Sequence, residues 1–109
     1  MSDTNEAPLS GPVTLINVFS CTPERQAELV GLLQAMTDEV MRHLPGFVSA
    51  SLHRGLDGKH VANYAQWTTV EHWRAMVRNP KVQARMGPVV AIATFQPHLY
   101  EQVSRHEPA

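Results

Sequence analysis

Side chains that could take part in chemistry concentrate in the middle of the sequence, from His53 to Trp73. Asn63 and Trp67 lie an even number of residues apart in the run KHVANYAQW, so on a β-strand both project from one face. Asn17 shares a strand face with Leu15 and Phe19, and His53 shares one with Ser49 and Ser51. If these faces look toward the same helices, they form an apolar pocket with a few convergent polar groups, the usual form of a small-molecule site.

Each of these residues also has a structural interpretation. A buried amide such as Asn63 is satisfied by a hydrogen bond in the core as readily as by a ligand. Trp67 and Trp73 are residue types that commonly fill cores, and His53, close to a strand end, fits a solvated as well as a catalytic histidine. Tyr64 should face away from Asn63, which favours packing between sheets.

The motifs of metal-dependent and nucleotide-dependent chemistry do not occur in the sequence. The 6 His and 1 Cys show no zinc-site spacing, and Glu71-His72 is not the two-turn pair of a metalloprotease. No glycine-rich phosphate loop and no G-x-S-x-G elbow is present. We therefore predict a site without a metal or a bound cofactor.

Composition excludes several further classes. The 109 residues suit one domain, and 9 Lys+Arg against 10 Asp+Glu leave a net charge of -1, with no basic stripe to bind nucleic acid. Cys21 is the only cysteine, so no intrachain disulfide forms. The polar start is unlike a signal peptide, and no apolar run is long enough to span a membrane. These features predict a cytoplasmic protein.

The elements that position the candidate residues alternate along the chain. The patterns predict a strand at 13–20, a helix from Pro23 to about 44, a hairpin of strands 47–54 and 59–67, a helix from 70 to 78 that continues to 86, and a strand at 89–95 that resumes after Pro97. Thr68 and Glu71 match a capping box, and Asn79 is a candidate cap for the continuation.

This order predicts an α+β fold of ferredoxin-like type, β-α-β-β-α-β, with both helices on one face of an antiparallel sheet. Residues 1–11 should be a flexible arm, residues 12–103 the domain and residues 104–109 a flexible tail. The predicted first and last strands are apolar on both faces, whereas a sheet covered on one side alternates. We therefore predict a homodimer whose two sheets pack face to face.

The stretch LPGFVSASLHRGLDGKHVANYAQWTTVEHWRAM resembles the antibiotic biosynthesis monooxygenase family of dimeric α+β barrel proteins, and especially its actinorhodin-pathway anthrone-type branch. The resemblance is densest at PGF, residues 45–47, and VANYAQW, residues 61–67. It implies oxidation of a small polycyclic or phenolic aromatic substrate to a quinone by O₂, without flavin, haem or metal.

The resemblance also implies roles for individual residues. Asn63, Trp67, His53 and Arg85 match the catalytic positions of the family, and Trp73 stands where the branch has a tyrosine. The remaining predicted substrate-binding positions are Asn17, His72, Met76 and Met86. Haem-degrading relatives share the fold and use an asparagine on the first strand, for which Asn17 is a candidate. No histidine lies between His72 and His98 to bind iron, so haem cleavage is disfavoured.

Two other functions fit the same pocket. A polyketide cyclase or isomerase would use it without O₂, and a non-catalytic module would only bind a small molecule, since fold does not dictate function. These alternatives depend on whether Met76, Met86 and Trp73 leave the pocket open or fill it.

Overall fold

The structure, a computed structural model, describes residues 12–109. The predicted N-terminal arm, residues 1–11, lies outside the described residues. The elements are β1 (Val13–Ser20), α1 (Gln26–Glu39), β2 (Phe47–Arg54), β3 (His60–Trp67), α2 (Val70–Arg78), α3 (Pro80–Val90) and β4 (Thr94–Tyr100). Short 3₁₀ turns at Pro23–Arg25 and Met41–His43 flank α1.

The four strands form one sheet in the order β2-β3-β1-β4, and every neighbouring pair is antiparallel. Strand β3 lies between β1 and β2 in the sheet. This is the split βαβ arrangement, so the predicted ferredoxin-like α+β fold is confirmed.

The core lies between one face of the sheet and the helices. On β1, Val13, Leu15 and Phe19 alternate inward and are almost fully buried. Val13 and Phe19 pack in one cluster with α1 side chains such as Leu29 and Leu33. The helices therefore cover this face, which we call the inner face, and the opposite face is the outer face.

A β-bulge in β2 decides which of its side chains reach the inner face. Phe47 lies opposite Trp67, but the register then shifts, so that Ser49 lies opposite Gln66 and Leu52 opposite Asn63. One extra residue in a strand reverses the facing of every residue after it. Beyond the bulge, Leu52 therefore faces inward with Asn63, and His53 faces outward.

The predicted cap of α2 is wrong by one residue. Thr69, not Thr68, is the N-cap, and its hydroxyl accepts a hydrogen bond from the His72 backbone N–H at 3.1 Å. Glu71 does not reach back to the cap but pairs with Arg74, one turn along the helix surface. The predicted cap of the next helix is confirmed, because the Asn79 side chain accepts from the Lys81 N–H at 2.8 Å.

The fourth strand begins later than predicted. The sequence predicts a strand at 89–95, but α3 continues past Gly87-Pro88 to Val90, and β4 begins at Thr94. A proline in the last turn removes only one helical hydrogen bond, and Val89 is completely buried against the core. Burial of Val89 thus favours the extra helical turn over the strand.

The outer face of the sheet carries both apolar and polar side chains. Val18 is 39% and Tyr64 41% exposed, with Ile16 half-buried beside them. The predicted second apolar face is therefore present on β1, but it is absent from the predicted strand at 89–95, because most of that segment is helix or turn. Residues 101–109 are exposed and have no regular secondary structure.

Within residues 12–109, no helix is both long and apolar enough to cross a membrane.

Candidate functional site

A cavity of about 390 Å³ lies between the inner face of the sheet and the three helices. This volume falls within the range of ligand pockets, about 300–1,000 Å³. The lining residues come from every strand and helix, with Met41 from the turn after α1: Leu15, Asn17, Phe19, Leu33, Met36, Thr37, Met41, Leu52, Asn63, Trp73, Met76, Val77, Val82, Gln83, Met86, Val90, Phe95 and Pro97.

The floor of the cavity is a row of residues in register across all four strands. Asn63 lies directly opposite Asn17, and the row ends in Leu52 on β2 and Pro97 on β4. Asn17 is only 9% and Asn63 only 6% exposed. Two side-chain amides thus stand side by side in otherwise apolar surroundings.

Both amides have unmet hydrogen-bonding capacity. The Oδ1 atoms of Asn17 and Asn63 are buried and have no hydrogen-bond partner among the described residues. A buried polar group without a partner costs about 1–3 kcal/mol of stability. Native structures keep few buried polar groups without a partner, so the pair is a distinct polar feature of the cavity floor.

The helices supply the opposite wall, which is mostly apolar. Trp73 and Met76 from α2 line it together with Met86 from α3. These are the three side chains predicted either to fill the pocket or to leave it open, and the cavity is open between them and the sheet. Trp73 Nε1 is a further buried atom without a partner among the described residues.

The cavity opens to the surface near Val77 of α2 and Val90 of α3. Val77 and Val90 both line it, yet they are 42% and 55% exposed. Gln83 lies in the same part of the wall, and its side-chain amide donates to the Val77 carbonyl at 3.3 Å.

Trp67 is on the predicted face but does not line the cavity. It is 1% exposed, lies opposite Val13 at the end of β3, and packs edge-on against Phe47 with ring centroids 5.4 Å apart. The even spacing correctly places Trp67 on the same side as Asn63. Its position near the end of the sheet makes it part of the core.

The structure does not bring His53 or Arg85 into the cavity either. His53 lies opposite Ala62 on the outer face, with its Nε2 3.2 Å from the Ser51 hydroxyl. The bulge at the start of β2 is the reason for this placement. Arg85 lies on the surface of α3 and forms an ion pair with Glu39 of α1.

His72 also lies away from the cavity. Its Nδ1 is 3.0 Å from the Thr68 hydroxyl and 2.8 Å from the Thr69 hydroxyl, at the start of α2. The imidazole ring fills the space beside Gly46, where a β-carbon would overlap it. His72 is thus a contact between α2 and the turn before β2.

Sequence reasoning missed much of the apolar lining. The residues it did not name as site residues include Leu52, Pro97, Phe95 and the α1 side chains Leu33 and Met36. Phe47 is an odd number of residues away from the apolar Ala50 and Leu52, so a regular strand cannot place all three on one face. This break in the alternation is the sequence signal of the bulge, which places Leu52 in the cavity wall.

No ionisable side chain is among the residues that line the cavity within the described part of the chain. The two groups with resolved pKa shifts lie elsewhere. Burial raises the pKa of the Cys21 thiol, and the nearby Asp57 charge adds to this. The pKa of the Asp57 carboxyl is lowered by the Lys59 backbone N–H and then by the His60 side chain. Residues 12–109 contain no group of three or more His, Cys, Asp or Glu suited to hold a metal ion.

Fold and cavity together define a small α+β domain with a largely apolar cavity between its sheet and its helices. The model of the family "Antibiotic biosynthesis monooxygenase" matches residues 12–86. The chain belongs to this family, which confirms the resemblance seen in its sequence.

Individual relatives agree with this assignment. Over 70 residues the chain is 49% identical to tetracenomycin-F1 monooxygenase of Streptomyces glaucescens, a match that covers 64% of this chain and 62% of that protein. The chain thus matches less than two thirds of the length of this relative.

Two solved structures share the fold over nearly their whole length. SnoaB, a cofactor-independent oxygenase from Streptomyces nogalater, is 26% identical with a TM-score of 0.77, covering 87% of this chain and 96% of that one. A Streptomyces coelicolor monooxygenase in complex with nanaomycin D is 25% identical with a TM-score of 0.77, covering 95% of this chain and 97% of that one.

Proposed function

We propose that the chain is a cofactor-independent monooxygenase that oxidises a small polycyclic or phenolic aromatic substrate to a quinone with O₂. The observation that carries this proposal is the largely apolar cavity of about 390 Å³, which has two side-chain amides on its floor. The relatives named as monooxygenases support the same reaction class.

The chemistry that fits this cavity begins with the substrate itself. A phenolic or anthrone-type ring loses a proton to solvent or to its surroundings and becomes an electron-rich anion. The anion transfers an electron to O₂, the two radicals combine to form a C–O bond, and the resulting peroxide loses water. In net terms a ring CH₂ and O₂ become a ring C=O and H₂O, so one oxygen atom enters the product.

The protein contributes orientation and electrostatics to these steps. The Nδ2–H groups of Asn17 and Asn63 can donate hydrogen bonds to the oxygen on which the anionic charge develops, in largely apolar surroundings. Apolar walls that include Phe19, Phe95 and Met86 hold the flat ring in one orientation. No cavity side chain in the described residues is suited to act as a strong base, so the proposal assigns the acidity to the substrate.

Oxygen uptake tests this proposal directly. Purified, chelator-treated protein with an anthrone as substrate should consume O₂ and release the anthraquinone in equal amounts, well above the autoxidation rate of the substrate alone. Failure to accelerate uptake over a panel of anthrones and dihydroquinones would contradict an oxygenase. Turnover of a polyketide substrate without O₂ would instead favour the cyclase alternative.

We also propose that two copies associate through the outer face of the sheet. The support is the exposure of Val18 and Tyr64, beside the half-buried Ile16, on a face that no helix of residues 12–109 covers. Large apolar side chains exposed together on a sheet commonly mark an interface.

A further inference from the structure

A second, smaller cavity lies beside α2, between this helix and the turn before β2. Its volume is about 60 Å³, and its lining residues are Leu44, Pro45, His72, Ala75, Met76 and Asn79. Pro45 and Ala75 are exposed, so this cavity opens to the surface. We call it the small cavity, and the cavity over the asparagines the main cavity.

The spacing of residues along α2 shows how the two cavities meet. Four residues of the helix and its C-cap, at the i, i+3, i+4, i+7 spacing of one helix side, line the small cavity: His72, Ala75, Met76 and Asn79. Trp73, Met76 and Val77, on the adjacent side of the same helix, line the main cavity. Met76 is the only described residue that lines both, and at 7% exposure its side chain forms the partition between them.

The lining of the small cavity favours an apolar occupant. Four of the six lining side chains are apolar, and the other two already have hydrogen-bond partners. His72 Nδ1 lies beside the threonine hydroxyls at the start of α2, and Asn79 Oδ1 accepts from the Lys81 N–H at 2.8 Å. Apolar cavities stay dry and take up apolar atoms such as xenon. O₂ is apolar and smaller than xenon, whereas a polycyclic ring is too large for this space.

The proposed reaction brings two reactants together, and the larger one obstructs the main opening. Ligand pockets commonly bury about 70–90% of the surface of a bound ligand. A bound ring therefore leaves little free space in the main cavity, including the part that opens near Val77 and Val90. A second path for O₂ runs through the small cavity, because the unbranched Met76 side chain has three rotatable bonds and can move aside without a shift of the backbone.

We infer that the small cavity is a binding site for O₂ and that Met76 is the gate through which O₂ passes into the main cavity. O₂ crosses the gate unchanged, and the C–O bond forms only when it meets the substrate anion. This inference rests on the proposed oxygenase function, which supplies the reaction that consumes O₂.

Ala75→Leu tests the path, because Ala75 is exposed and lines only the small cavity, which the larger side chain should fill. At saturating anthrone we expect kcat/KM for O₂ to fall by about fivefold or more, with the KM for anthrone unchanged. Ala84→Leu is the matched control, since it makes the same replacement at an exposed position of α3 that lines neither cavity. It should keep both wild-type values. Oxygen uptake over a range of O₂ concentrations measures them.

Met76→Phe tests the gate. The larger and stiffer ring should also lower kcat/KM for O₂. The double variant Ala75→Leu/Met76→Phe should lose less than the product of the two single losses, because both changes block one path. Circular dichroism checks that every variant keeps the wild-type fold.

Xenon provides a measurement that does not depend on turnover. In crystals pressurised with xenon, the wild-type protein should hold xenon in the small cavity, and Ala75→Leu should not. The inference is overturned if the wild-type small cavity takes up no xenon, or if Ala75→Leu and Ala84→Leu depend on O₂ in the same way. Either result, found with accelerated O₂ uptake, would reject the gas path and keep the oxygenase. Xenon in the small cavity without any O₂ uptake would reject the oxygenase and keep the gas-binding site.

Discussion

The paired amides on the cavity floor are the residues most directly tied to the proposed chemistry. Asn17 and Asn63 come from neighbouring strands, and the antiparallel register places them side by side on the inner face. Because they share one environment, their contributions to binding and catalysis should be coupled rather than additive.

Removal of one amide gives a prediction at the scale of the residue. Asn63→Ala should lower kcat for anthrone oxidation by about 10²-fold, the loss seen when one hydrogen bond to a developing oxyanion is removed. The double variant Asn17→Ala/Asn63→Ala should lose less than the product of the two single losses. Steady-state oxygen uptake gives these values.

Ser51→Ala is a matched control, because Ser51 lies opposite Tyr64 on the outer face of the same sheet. It should retain the wild-type kcat. An Asn63→Ala variant as active as this control would show that the amide does not stabilise the reacting oxygen.

Individual site residues were predictable when strand alternation was enough to place them. Asn17 and Asn63 lie on the cavity floor as expected, and Trp73, Met76 and Met86 form its helix wall. Alternation reports which side of a sheet a residue faces but not how far along the strand a cavity extends. It therefore placed Trp67 on the correct side and in the wrong surroundings.

At the scale of elements, the turn before β2 and the start of α2 depend on each other. Gly46 has φ of +84°, a conformation that strains any side chain, and His72 of α2 packs directly against its backbone. The Gly46 carbonyl also accepts from the Thr68 N–H at 2.8 Å. Glycine is therefore required in the PGF motif for two independent reasons: the positive φ and the close approach of the His72 side chain.

A double-mutant cycle separates the two reasons. Gly46→Ala should destabilise the fold by about 1–3 kcal/mol through backbone strain, with a further loss from overlap with His72. In the His72→Ala background only the strain should remain, so the second cost of Gly46→Ala is smaller. Chemical denaturation measures the four free energies of unfolding.

Gly58→Ala is a suitable control, because Gly58 also has positive φ, +79°, with open space around the site of its missing β-carbon. It should show the strain alone in either background. Equal costs of Gly46→Ala with and without the His72 side chain would rule out the proposed contact.

The boundaries of elements were less predictable than their order. Glycine and proline punctuation correctly separated the hairpin and both short helices, but the Gly87-Pro88 pair did not end α3. Local signals carry no information on the burial of Val89, which decides that segment. Likewise, nothing local marks which threonine of the pair Thr68-Thr69 becomes the cap.

For the whole molecule, the outer face of the sheet is the feature that the helices of residues 12–109 leave uncovered. We expect the protein to be a homodimer in solution, and Tyr64→Lys to shift it toward monomer by placing a charge in the interface. Light scattering coupled to size-exclusion chromatography, at micromolar protein, measures the mass.

Leu56→Lys provides the comparison, since Leu56 is fully exposed in the hairpin turn and lies away from the outer face. This variant should keep the wild-type mass. A monomeric wild-type protein, or equal masses for the wild type and Tyr64→Lys, would contradict association through this face.

The extra residue near Val48 makes the number of residues in β2 as important as their identity. If a variant lacked Val48, Ser49 would directly follow Phe47 opposite Gln66, and every later side chain would keep its present side without a bulge. If Val48 instead paired with Gln66 in a regular strand, Leu52 would turn to the outside and the His53 imidazole would enter the cavity beside the asparagines. The choice between an inert hydrocarbon wall and a titratable one thus depends on whether a single residue is accommodated in a bulge.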